Sequence, residues 1–192
     1  MKRFTLLSLV WFLISGQALA GFEGESDTAV PYRNYPVPQR TGGLIFYVQR
    51  SHNKNTVIYE LNYRSDGTLD PYEPLRALWI RFEEGGVRKE LSMIQKHIYG
   101  LDIVPLSKDS WLIHFRSFKK RDIYLFRNGK SNAFQAIVKI NGNVCVLTSL
   151  FLNTVTNSLG IPSVVNYIDV LGIDPGSDKP VMERINLNKK IK

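Results

Sequence analysis

Six side chains stand out for the chemistry their types allow: Arg50, Tyr59, Trp79, Arg81, Gln95 and Arg116. An arginine offers a planar fork of N–H donors that fits a carboxylate or phosphate, and an indole offers an apolar face for a sugar or a cation. Trp79 and Arg81 stand two apart in a run of strand character, so both project from one face. His114 and Arg116 share a face of their run in the same way. A polar stretch, Gln49 to Asn55, separates Phe46-Tyr47-Val48 from Val57-Ile58-Tyr59 and carries more polar groups than a turn requires. A chain reversal within Asn53 to Asn55 would leave Arg50 at a strand end, where it would converge with Trp79 and Arg81. The competing expectation is that these arginines pair with Glu60, Glu83 or Glu90 and rim a sheet, since surface ion pairs are common.

Other chemistries find less support. His52, His97 and His114 have no local ligand spacing, so no metal is expected, and no cofactor either. Asp169, Asp174 and Asp178 lack the spacing of a calcium loop, and Asp174 to Asp178 reads as a turn. No Gly-x-Ser-x-Gly elbow is present; Gly160-Ile161-Pro162-Ser163 is loop punctuation. Cys145, the one cysteine, lies in the apolar run Val144 to Leu147, where a thiol is buried and inert. With a single cysteine, no intramolecular disulfide can form. Glu83-Glu84 precedes Gly85-Gly86, and a turn accounts for the pair.

The elements that must position these residues are mostly strands. Apolar runs with period two recur at short spacing: residues 44–49, 57–64, 77–82, 103–106, 111–118, 123–127, 133–140, 144–152, 164–173 and 180–185. Asn128-Gly129 and Asn141-Gly142 between such runs are strong hairpin signals. Ser65-Asp66-Gly67 reads as a turn, Lys119-Lys120-Arg121 as a solvated turn, and Asn153 to Ser163 as a long loop. Leu91, Ile94 and Ile98 recur at helical spacing and predict one amphipathic helix near 88–99, stopped by Gly100. Together these features predict a mainly β, single-domain antiparallel sandwich or open barrel spanning 43–186, with a basic tail over 187–192.

Lys2 and Arg3, an apolar run from Phe4 to Ile14 and the triplet Ala18-Leu19-Ala20 have the order of a signal peptide over residues 1–20. The apolar run falls well short of the roughly 20 residues of a spanning helix, so no transmembrane anchor is expected. Residues 21–42, with Pro31, Pro36 and Pro38, predict an extended arm. The formal charge is +8, or +6 once Lys2 and Arg3 are set aside. That excess favours anionic partners. Basic and aromatic residues do not interleave over one platform, and export argues against nucleic acid as well.

The motifs Tyr47-Val48-Gln49-Arg50, Asn55 to Asn62, Trp79-Ile80-Arg81, Ile94-Gln95 with Tyr99-Gly100, and Val165 to Val170 through Glu183-Arg184-Ile185 stand in one order along the chain. With them the sequence resembles the bacterial domain of unknown function (DUF) numbered 4833, from about Leu44 to Ile185. His52 and His114 lie outside the resembling pattern. The resemblance implies an exported protein, typical of Gram-negative bacteria of the Bacteroidetes type, and implies no activity. The expectation is therefore a periplasmic or extracellular binding or accessory module for a small anionic or glycan ligand, rather than an enzyme. The alternative is an envelope hydrolase acting on glycan or peptide. N-terminal sequencing of protein from the envelope fraction should find Gly21 first. A stable membrane form that keeps residues 1–20 would refute the cleavage.

Overall fold

The computed structural model describes residues 34–156 and 162–190. The leader and most of the arm lie outside them, as do residues 157–161 of the expected long loop and the last two residues of the tail. Residues Tyr35–Lys192 form one compact unit.

The first hairpin joins β1 (Leu44–Arg50) to β2 (Asn53–Leu61). Its turn is not within Asn53 to Asn55: Arg50 pairs with Asn53, and Ser51-His52 makes the reversal. His52 sits at φ 79°, a left-handed conformation that few side chains adopt. Contacts to a distant strand hold it there: the Ser51 hydroxyl accepts from Thr154 N at 2.8 Å, and the His52 ring reaches Thr154 O.

β3 (Leu75–Arg81) pairs with β2, and a 3-10 turn at Phe82–Glu84 leads into β4 (Val87–Glu90). Residues 88–90, expected to open the helix, thus pair with β3 instead. The helix α1 is shorter, Met93–Tyr99, and begins where Ser92 and Gln95 close a capping box. Leu91 is buried ahead of the helix, while Ile94 is 76% exposed, so the expected apolar stripe is broken.

Four antiparallel strands follow: β5 (Leu101–Ser107), β6 (Ser110–Phe115), β7 (Phe118–Arg127) and β8 (Phe134–Ile140). Lys119-Lys120-Arg121 belongs to β7 rather than to a turn. Asn141 and Gly142, at φ 50° and 84°, make the expected two-residue turn into β9 (Asn143–Thr156). Asn128-Gly129, by contrast, opens a longer loop, whose backbone Asn128 Oδ1 holds through Lys130 N at 2.9 Å. β10 (Pro162–Ile173) and β11 (Pro180–Lys190) complete the sheet. β9 and β10 take up the flanks of the expected loop, and β11 runs on past Ile185 into the tail.

The order is β4-β3-β2-β1-β9-β8-β7-β6-β5, with β10 between β9 and β11. β9 is shared. One of its edges pairs with β8 through residues 143–146 and then with β1 through 149–152, while the other edge pairs with β10. The β1–β9 ladder is parallel, the one departure from antiparallel pairing among the described strands. β8 and β1 diverge from β9, the sheet curls into a half-barrel, and the core fills the space between. Phe46 stacks on Tyr59 at 4.5 Å, and both meet Phe115 of β6 edge-on at 6.1 and 5.7 Å.

Gly172 lies where β9 changes partner. A Cβ there would stand 2.6 Å from Val146 O and 2.7 Å from Ile140 Cδ1. Gly172→Ala should therefore cost about 2 kcal/mol of stability, read by urea denaturation with an unchanged slope. A loss below about 0.5 kcal/mol would show that the crossing is slack.

Candidate ligand-binding site

The structure brings Arg50 and Trp79 together at one end of the core. Val48, Val57 and Trp79 are successive cross-strand partners, so they share a face, and Arg81 follows Trp79 on that face. A bulge past Val48 redirects Arg50, whose guanidinium carbon lies 5.3 Å from the centroid of the Trp79 ring. Arg50 Nη1 donates to Tyr99 Oη at 3.4 Å. No carboxylate among the described residues pairs with Arg50.

Two further donors belong to this end. Trp79 Nε1 and Arg81 Nε are both buried and have no hydrogen-bond acceptor among the described residues. Arg81 does pair through Nη2, but with Glu84, across the 3-10 turn. Glu60 and Glu83, expected as partners of these arginines, are engaged elsewhere. Glu60 takes Arg76 and Arg88, one on each oxygen, and Glu83 accepts from Asn55 Nδ2 and Lys54 N.

The structure places the other candidates apart from this pair. Tyr59 is fully buried and donates to Tyr99 O at 2.6 Å. Burial, with Tyr99 nearby, pushes its hydroxyl well above the usual tyrosine range, so it remains a neutral donor. Gln95 is the return arm of the capping box: its Oε1 accepts from Ser92 N at 2.8 Å. Arg116 pairs with Asp102 at 3.3 Å and lines a separate hollow of about 510 Å³ between β3 and β5. Tyr99, which ties α1 to both Arg50 and Tyr59, was missing from the expected set. Its burial at the helix end gives it that place, and although Tyr99-Gly100 stands in the resembling pattern, no spacing along the chain ties it to Arg50.

The remaining reactive groups stay apart. His114 meets Asp122 at 2.7 Å, His97 is exposed on α1, and His52 is held at its turn. Among the described residues no three His, Cys, Asp or Glu side chains gather as a metal site. The Cys145 thiol is 1% exposed, and burial, then Asp174, pushes it above its ordinary range. No helix among the described residues is long and apolar enough to cross a membrane.

Residues 46–184 match the family described as "Domain of unknown function (DUF4833)". The chain belongs to that family. No curated protein and no solved structure matches it. The DUF4833 match takes in Arg50, Trp79, Arg81 and Tyr99, so this end of the core lies wholly within the family's domain.

Removing the Tyr59 hydroxyl would leave the Tyr99 carbonyl without its buried partner. Tyr59→Phe should cost about 1–2 kcal/mol in chemical denaturation. An unchanged midpoint would show that the carbonyl finds another donor.

Proposed function

We propose that this DUF4833 domain is an exported binding or accessory module, and that its ligand presents an anionic or acidic-glycan group to Arg50, Trp79 and Arg81. The observation that carries the reading is the pair of buried N–H donors on one strand face, Trp79 Nε1 and Arg81 Nε, which have no acceptor among the described residues, with Arg50 beside the Trp79 ring. A buried donor left unpaired costs roughly 1–3 kcal/mol, and native proteins seldom keep two neighbouring ones without a reason. Every free polar hydrogen here is a donor. The complementary group is therefore an acceptor: a phosphate, a carboxylate or an acidic sugar. The leader-like order of residues 1–20 supports a periplasmic or extracellular setting, where such groups are carried by envelope polymers. Among the described residues the hydrolase alternative finds no support, because His114 pairs with Asp122 on a strand face and the Cys145 thiol is enclosed in the core.

Calorimetry with pyrophosphate and with galacturonate as probes tests the reading. Arg50→Ala and Arg81→Ala should each weaken binding by about tenfold or more, and Lys54→Ala should leave it unchanged. Trp79→Phe, which removes one donor and keeps the ring's bulk, should weaken binding without unfolding the domain. If neither probe binds and Arg81→Ala lowers the melting temperature sharply, Arg81 is a structural partner of Glu84 and the reading fails.

A further inference from the structure

A second hollow lies at the opposite end of β1, about 20 Å from Arg50 at a strand rise of roughly 3.3 Å per residue. It measures about 850 Å³, within the roughly 300–1,000 Å³ usual for small-molecule sites. Its walls come from Leu44 and Ile45 of β1, Leu61 of β2, Leu69 of the following loop and Phe134 of β8, with Trp111 of β6 buried at its base. Arg40, Lys108 and Arg127 also line it, against the one acid Asp109.

Two details decide what such a hollow accepts. Of its aromatic groups only Tyr63, 54% exposed, keeps a free ring. Trp111 is 2% exposed with its N–H already donating to Pro71 O at 2.8 Å, and the Phe134 ring is covered by Arg127 at 4.6 Å. A sugar ring would find the single ring of Tyr63, whereas an aliphatic chain meets the apolar walls of Leu44, Ile45, Leu61 and Leu69 together. The charges, in turn, are unbalanced. Asp109 pairs with Arg127 at 3.5 Å, while Arg40 and Lys108 meet no carboxylate among the described residues. Cationic groups over low-dielectric walls focus their field on an anionic head.

We propose that this hollow binds a single-chain anionic amphiphile free in solution, an alkyl or acyl chain ending in a phosphate or carboxylate. The chain lies along Leu44, Ile45, Leu61 and Leu69, and the head group meets Arg40 and Lys108. The site is independent of the Arg50 end and stands or falls separately from it.

Calorimetry on the whole domain with decyl phosphate, kept below its micellar concentration, is the test. Decyl phosphate should bind with a stoichiometry of one, and inorganic phosphate and uncharged decyl maltoside should bind at least about tenfold more weakly. The exposed double variant Arg40→Ala/Lys108→Ala should lose about tenfold in affinity for decyl phosphate without a change in melting temperature. Lys120→Ala, elsewhere on the surface, should not. Leu69→Trp, which fills the hollow from its loop side, should abolish binding. The proposal is overturned by equal binding of the maltoside, by phosphate binding as tightly as its decyl ester, or by no binding at all. Sedimentation with phosphatidylglycerol vesicles in place of binding to monomeric decyl phosphate would also overturn it.

Discussion

The fold rests on the way β9 divides its hydrogen bonds. A strand has two edges, and each edge position serves one neighbour. β9 gives one edge to β10 and splits the other between β8 and β1. Two layers therefore start from one strand and separate, and what lies between them must be filled with side chains rather than backbone. Phe46, Tyr59 and Phe115 bridge it from β1, β2 and β6, and Gly172 keeps the backbones close where the layers part.

Two diverging layers leave open ends, and the chain treats them differently. One end is closed by α1, anchored by the hydroxyl of Tyr59 and reached by Arg50. The other has no helix over it among the described residues and holds the second hollow. The cations sort along the same lines. Arg76 and Arg88 saturate the nearly buried Glu60, and Arg184 engages Asp169 through both oxygens at 2.7 and 2.8 Å. A buried carboxylate stripped of such a partner is costly, so these arginines are committed to the fold. Arg50, Arg40 and Lys108 have no such obligation among the described residues, and they stand at the two ends.

How far the structure can be read from the chain depends on how local each cause is. Asn141-Gly142 specifies its own turn, because both residues tolerate positive φ and the flanking runs alternate. The spelling Ser92-Met93-Ile94-Gln95 already contains the capping box, which explains Gln95 better than a ligand does. Ser51-His52 is opaque by comparison: histidine enters the left-handed region more often than most side chains but gives no signal like Asn-Gly, and contacts with Thr154 on another strand hold it there. The spacing of Leu91, Ile94 and Ile98 extends the expected helix back over residues 88–90, yet those residues pair with β3, since periodicity over so short a segment is weak. Arg50 meets Trp79 through the bulge past Val48 as well as through strand register, and no spacing along the chain shows that bulge. The hollow walled by Leu44, Leu61, Leu69 and Phe134 draws on too many elements for spacing along the chain to show it.

The parallel ladder between β1 and β9 also sets the order in which the molecule can assemble. It joins segments far apart in sequence, as the contact of Ser51 with Thr154, 103 residues along, makes plain. Closing so long a stretch of chain is slow compared with zipping a hairpin. Synthesis proceeds from the N-terminus, so β1 to β4 emerge well before the strand that will hold them. Throughout that interval β1 keeps an unpaired edge, with Phe46 and Val48 uncovered, available to any other nascent copy. The C-terminal third is thus a clasp, and the time before it closes is when the chain is most exposed to aggregation.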